Sequence, residues 1–191
     1  TARAVAALPL AGADASGRVG EQTGQVSREG LADPRLKLSV NLVGGRALSA
    51  GEFVKVQRRT IVGVSLTAIP PLGQYDQEHV VNVGTNRWSF TPELGVSKTF
   101  GPLTLELAPS ITFFTDNNDF LGGGKLKKDP LYAVQGHAIY HTRFGLWAAV
   151  DATYYGGGRT TINGEPGTEP QNLRLGATLA VPINKYNSVK L

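Results

Sequence analysis

The chain has 191 residues, of which 41% are hydrophobic and 18% charged, with 24 Gly, 11 Pro and no Cys. No run approaches the roughly 20 consecutive apolar residues of a membrane-spanning helix, which excludes a helical membrane protein; the lack of Cys excludes disulfides, thiolate metal sites and thiol nucleophiles. A net charge of +4 does not mark a nucleic-acid binder, because Lys and Arg are scattered and the one local group, Lys125, Lys127 and Lys128, lies in a Gly-rich stretch without interleaved aromatics.

Short apolar–polar alternations punctuated by Gly and Pro predict an all-β chain. In chain order the candidate strands are 2–9, 16–27, 35–43, 60–69, 87–99, 103–115, 131–142, 146–156 and 172–183, with a tenth starting near Ser188. The one segment with helix signals is 49–57, where Ser49 is a candidate cap and Glu52 follows three residues later. No basic, apolar-cored leader opens the chain. It begins and ends inside candidate strands, so the expectation is a single domain over 1–191, trimmed from a longer protein.

The alternation is regular. Leu36, Leu38, Val40 and Leu42 interleave with Arg35, Lys37, Ser39 and Asn41. Leu103, Leu105 and Leu107 interleave with Thr104 and Glu106, and Leu173, Leu175 and Leu179 with Arg174, Gly176 and Thr178. Successive side chains on a strand point to opposite faces, so each segment has one oily and one wet side. The links alternate too. Phe100-Gly101-Pro102, Arg143-Phe144-Gly145 and 184–187 are tight, whereas 71–86, 116–130 and 157–171 are long and polar. In an up-and-down meander this places all long links at one end, as in outer-membrane barrels with short periplasmic turns and long outer loops. The link 44–59 breaks the rule unless the small helix sits at the short-turn end.

The ionisable residues, with the amides Asn41 and Gln135, keep to one phase, which holds Arg35, Lys37, Arg87, Glu93, Glu106, His137, His141, Asp151 and Arg174. The other phase carries Trp88, Phe90, Leu94, Val96, Tyr132, Val134, Tyr140, Val150 and Tyr154, with Lys98 as its one cation, near a strand end where a long side chain reaches headgroups. Alternation by itself does not separate a membrane barrel from a soluble one with its oily side inward. Two features favour the membrane: Leu and Val at mid-strand with aromatics toward the ends, and a polar phase of small residues sparse in charge, unlike the Lys- and Glu-rich exterior of a soluble sheet. Pro92 and Pro109 count against it, since each removes a ladder donor in the oily phase of an interior strand; bulges or bends are expected there.

Several segments resemble one family. They are Gly30-Leu31-Ala32-Asp33-Pro34-Arg35-Leu36, Pro71-Leu72-Gly73-Gln74-Tyr75-Asp76, Asn82-Val83-Gly84-Thr85-Asn86-Arg87-Trp88, Asp151-Ala152-Thr153-Tyr154-Tyr155 with Gly157-Gly158, and Asn172-Leu173-Arg174-Leu175-Gly176. In order and spacing they are similar to the outer-membrane family of transporters named for the meta-pathway of phenol degradation. The resemblance implies an antiparallel up-and-down transmembrane β-barrel of about 12 strands in the full protein, of which about 9–10 fall in this chain. It further implies a Gram-negative outer-membrane location and passive uptake of small hydrophobic or aromatic molecules.

Other chemistry is weighed against blander readings. His137 and His141, four apart on a strand, lie about 13 Å from each other, too far to share one metal. Asp116-Asn117-Asn118-Asp119 lacks the spacing of a calcium loop, since its fifth position is Phe120, and is expected to be a solvated outer loop. Gly122-Gly123-Gly124-Lys125 lacks the spacing of a phosphate loop and is expected to be a flexible tip. Ser97 and Ser110 share the phase of the two His, but no GxSxG elbow is present. No catalytic residue, metal or cofactor is assigned, and no enzyme activity is expected. The expected partners are the lipid bilayer, lipopolysaccharide, the barrel-assembly machinery and a small permeant entering between mobile outer loops. The lipid-facing set is Leu36, Leu38, Val40, Leu42, Leu103, Leu105, Leu107, Leu173, Leu175 and Leu179; the ionisable set lines the lumen. A structural barrel with a sealed lumen and a soluble ligand-binding barrel are the alternatives.

Overall fold

The computed structural model describes residues 1–19, 22–45, 60–183 and 187–191. The helix expected over 49–57 and most of the tight link at 184–187 lie outside these residues. Among the described residues there are strands and no helix: β1 (Ala2–Ala7), β2 (Leu10–Val19), β3 (Gln22–Leu31), β4 (Arg35–Val43), β5 (Ile61–Ile69), β6 (Ser89–Phe100), β7 (Leu103–Phe114), β8 (Asn117–Phe120), β9 (Gly124–Lys128), β10 (Leu131–His141), β11 (Trp147–Gly157), β12 (Thr160–Ile162), β13 (Glu165–Pro166), β14 (Gln171–Pro182) and β15 (Ser188–Lys190).

Nine of them form one antiparallel sheet in the order β1-β4-β5-β6-β7-β10-β11-β14-β15. Within this sheet each strand pairs with the next of its members along the chain, the meander that the sequence predicts, with β2 and β3 set apart between β1 and β4. The seven strands of this sheet between β1 and β15 run 9 to 12 residues, matching the roughly 9–11 residues a tilted strand needs to cross a bilayer. Tight turns close one end. Between β6 and β7 the two-residue link begins with Gly101 at φ 58°, a left-handed position that glycine fills without a Cβ penalty.

The opposite end differs from the sequence expectation. The candidate strand 16–27 is two strands: β2 and β3 pair from Leu10↔Leu31 to Val19↔Gln22 as a separate hairpin. Its arms continue β1 and β4, interrupted at Pro9 and Pro34, where the ring leaves no N–H to donate; Ala32 N bridges the gap by donating to Pro9 O at 2.9 Å. This hairpin makes a fourth long link at the same end as the links β5–β6, β7–β10 and β11–β14; the link between β4 and β5, of which 46–59 lie outside the described residues, falls at the other end and still departs from the alternation. The long links are also not bare loops. β8, β9, β12 and β13 make a four-stranded sheet in the order β13-β12-β9-β8.

Pro92 and Pro109 produce no bulge. Pro92 stays in frame opposite Leu66, and Pro109 opposite Val134. The β6–β7 pairing skips Thr91–Pro92 without losing frame, and the Thr91 and Thr112 hydroxyls, 2.9 Å apart, bridge the skip. The one register shift in the main sheet falls between Asn41 and Val43.

Burial is inverted relative to a soluble domain. The buried hydrophobic residues are Phe120, Ala149 and Ala180, and no large side chain is fully buried among the described residues. Leu36, Leu38, Leu42, Leu105, Leu107, Leu173, Leu175 and Leu179 are exposed, up to 73% at Leu175, while Val40 and Leu103 are half-buried. Lys37, Ser39, Asn41, Glu93, Glu106 and His137, on the opposite face, are the half-buried ones. Aromatics bracket the exposed oily band: Trp88, Phe90, Phe113, Tyr132 and Tyr154 toward the long links, Phe100 and Tyr140 toward the turns. From Phe90 to Phe100 the strand rises about 33 Å, or about 24 Å along the normal at a 45° tilt, the height of a barrel's apolar band.

Candidate functional site

The site begins as a wall of polar side chains on one face of the sheet. Residues opposite each other on antiparallel strands lie side by side, so register builds rows across strands. Ser97, Glu106, His137 and Asp151 form one row over β6, β7, β10 and β11. Ser97 Oγ donates to Glu106 Oε1 at 3.0 Å, and His137 Nδ1 contacts Asp151 Oδ1. In a neighbouring row Ala108, Gln135, Thr153 and Arg174 are in register. Lys37 reaches across β5 to Glu93, Nζ to Oε1 3.0 Å, and Ser65 Oγ donates to the same oxygen at 3.1 Å. Between these groups Gly63 and Gly95 face each other. Having no side chains, they leave a cavity of about 240 Å³ rimmed by Asn41, Glu93, Ser97 and Glu106.

The remaining residues of the ionisable set are placed as follows. Asn41 Nδ2 donates to Gly45 O at 3.1 Å. His141 tilts against Trp147 at 6.4 Å between ring centres, away from the partner of His137. Arg35 and Arg174 are exposed, and the Arg174 guanidinium lies 5.8 Å from the Tyr155 ring. Lys98, on the oily face, holds its Nζ 4.9 Å from the Phe100 ring at the turn end.

Arg87 belongs to a second assembly, at the long-link end. Asp33, 9% exposed, ties the β3–β4 junction to the link between β5 and β6: its Oδ1 accepts from Gly73 N at 2.8 Å, and its Oδ2 accepts from Thr85 N at 2.8 Å and Thr85 Oγ1 at 2.7 Å. Asn117, 2% exposed, is the second hub. Its Nδ2 donates to Tyr75 Oη at 2.9 Å and its Oδ1 accepts from Asn86 Nδ2 at 3.0 Å. Tyr75 Oη donates in turn to Asp119 O at 3.1 Å. The backbones approach too closely for side chains at two glycines. A Cβ on Gly73 would lie 2.6 Å from Asp33 N, and one on Gly84 2.8 Å from Gly73 C.

This layer overturns two expectations. The run 116–119 is not simply a solvated loop, because Asn117 is a buried hub. The links 71–86 and 116–130 are not separate loops but one layer: Gly122 N donates to Gln77 O at 3.0 Å between them, and within the second Lys125 Nζ pairs with Asp116 Oδ2 at 2.7 Å. That hydrogen bond from Lys125 holds the Asp116 carboxyl below its ordinary value. Beside the layer, Arg87 and Lys128 both lie against Phe114, with Arg87 Cζ 5.2 Å and Lys128 Nζ 4.8 Å from the ring centre. Burial lowers the pKa of both, and Arg87 lowers that of Lys128 further. Asp33, Gly73, Tyr75, Thr85 and Arg87 all stand in the segments that carry the family resemblance, but nothing in their spacing along the chain tells that they meet.

The chain is thus a meandering antiparallel sheet with an oily exposed face, a polar half-buried face and four long links at one end. Residues 3–191 match the family described as "Putative MetA-pathway of phenol degradation", and the chain belongs to that family. None of the curated proteins matches it significantly. Among solved structures it is similar to the COG4313 outer membrane channel from Pseudomonas putida F1, with a TM-score of 0.70 and 19% identity over 86% of this chain and 58% of that one. At that identity the likeness is one of fold, and this chain spans 58% of the neighbour's length.

Proposed function

We propose that the protein is a channel of the Gram-negative outer membrane, its sheet closing in the full-length protein into a β-barrel of about 12 strands. The observation that carries this reading is the inverted burial: leucines are exposed on one face while Lys37, Glu93, Glu106 and His137 are half-buried on the other. In water that arrangement would leave an oily band of several strands uncovered, which soluble monomers avoid. Against hydrocarbon it is the stable one, and the paired donors and acceptors of the polar face then line a lumen. Similarity to a channel supports the same reading.

The permeants are small hydrophobic or aromatic molecules, taken up passively and without catalysis or cofactor. They enter through the loop layer and pass along the Gly63–Gly95 depression, where Glu93 and Glu106 orient polar groups. The lipid bilayer and lipopolysaccharide surround the barrel, and the barrel-assembly machinery inserts it. The pairing of Lys37 with Glu93 favours a second reading, a self-satisfied and sealed wall. Single-channel conductance of the full-length protein in planar bilayers separates the two. Liposome swelling, comparing phenol-like solutes with sugars, then tests the permeant class. Discrete conductance with faster swelling in the aromatic solutes is the expected result; a silent bilayer rejects the channel.

A further inference from the structure

Two cations converge on one aromatic ring at the long-link end, with no carboxylate within ion-pair distance of either among the described residues. Arg87 Cζ and Lys128 Nζ lie 5.2 Å and 4.8 Å from the centre of the Phe114 ring. None of the described ion pairs includes Arg87 or Lys128. The carboxylate of Asp33 is nearby, but Gly73 N, Thr85 N and Thr85 Oγ1 engage both of its oxygens. Arg87 Nη1 is buried with no hydrogen-bond partner.

Each of these features is unfavourable in isolation. Like charges repel, and more strongly where burial has removed water. A buried N–H without an acceptor loses its hydration and gains nothing in return. Native folds seldom keep such a group unless something satisfies it in use. The ring contacts offset part of the cost, since a cation over an aromatic face is attracted by its quadrupole. They supply no acceptor for the N–H groups.

Position adds a direction. Phe114 shares the phase of Glu106, Ser110 and Thr112, and Arg87 that of Ser89, Thr91 and Glu93, so both belong to the polar face. Lys128 closes β9, whose partner strand places Thr160 beside it. The group therefore stands where the polar wall meets the loop layer.

We propose that Arg87 and Lys128, on the floor of Phe114, form an oxyanion subsite that captures the carboxylate or phosphate of a small solute at the mouth of the lumen. A planar guanidinium offers two parallel donors to such a group, and the ammonium adds a second charge. Nη1 is buried, so capture requires a side-chain rotation that brings it to the bound group. The role at the mouth rests on the channel reading, but binding itself does not require an open lumen.

The test uses the full-length protein refolded in detergent, titrated calorimetrically with benzoate, inorganic phosphate and benzamide, the uncharged counterpart of benzoate. The expected result is saturable binding of benzoate or phosphate at least tenfold tighter than benzamide, weakened at least tenfold by Lys128→Gln and by Arg87→Gln. Heat-modifiable migration on gels reports folding; if Arg87→Gln does not fold, Lys128→Gln carries the test. Benzamide binding as tightly as benzoate, or wild-type oxyanion binding in the folded variants, overturns the subsite. Conductance is measured on the same preparation. Conductance without oxyanion binding rejects the subsite alone, and oxyanion binding without conductance rejects the channel reading alone.

Discussion

Removing the Asp33 carboxylate tests how the loop layer is held. In Asp33→Ala, Gly73 N, Thr85 N and Thr85 Oγ1 lose acceptors that now lie at 2.7–2.8 Å. A buried donor left without a partner costs about 1–3 kcal/mol, so the two backbone N–H groups alone set a cost of about 2–6 kcal/mol. The lower half of that range applies, because the layer borders water that can enter once the tie is gone. About 3 kcal/mol corresponds to about a 100-fold shift in a local opening equilibrium. Hydrogen exchange on the full-length protein in micelles reads it directly: amides of the link between β5 and β6 should lose about 30- to 700-fold protection while β6 and β7 keep theirs, since opening is local. Asp33→Asn should lose nearly as much, because its amide nitrogen turns a donor toward one of the two donor sets. Unchanged exchange at Gly73 and Thr85 would refute the tie, and loss spread evenly over the sheet would refute its local character.

Further outcomes follow from the same geometry. Gly73→Ala puts a Cβ 2.6 Å from Asp33 N, and since backbone cannot yield as a side-chain tip can, overpacking should cost about 1–3 kcal/mol and lower the thermal midpoint. Val40→Arg should impair membrane assembly, as a cation at mid-bilayer costs about 2–4 kcal/mol, whereas Ser39→Arg on the opposite face should assemble; equal yields of heat-modifiable barrel would contradict the facing assigned to β4. The Asp116 carboxyl titrates below its ordinary value of 3.8, so its tie to Lys125 contributes above that ordinary value and is lost as pH falls through the lowered one. Lys125→Ala should return the Asp116 titration, followed by NMR, to the ordinary range.

The strands of the main sheet were legible because one signal dictates them. Where Leu36, Leu38 and Leu42 alternate with Lys37, Ser39 and Asn41, a register slip by one residue would exchange oily and wet faces, so the alternation fixes both strand and facing. The hairpin of β2 and β3 was not legible for the converse reason. Its sequence, rich in Ala, Gly, Ser and Gln, carries no oily period, and a single candidate strand was drawn across its tip. The loop layer was hidden differently. Asp33, Asn117 and Thr85 are short polar residues that read as turn formers in any sequence, and what makes them hubs is contact between residues 31 to 52 positions apart. The two prolines give no bulge, since the lost donors fall at two gaps in the β6–β7 pairing, at Thr91–Pro92 and at Leu94–Gly95, that keep the frame.

The central claim is that the leucine face meets hydrocarbon and the ionisable face meets water, and the absence of native Cys makes it directly measurable. Single cysteines at Leu38, Leu107 and Leu175, and at Ser39, Glu106 and Gly176, would carry nitroxide labels in the full-length protein reconstituted in liposomes. The account predicts high oxygen and low nickel-chelate accessibility by EPR for the first set and the reverse for the second. The opposite pattern, or no difference between the sets, would contradict it.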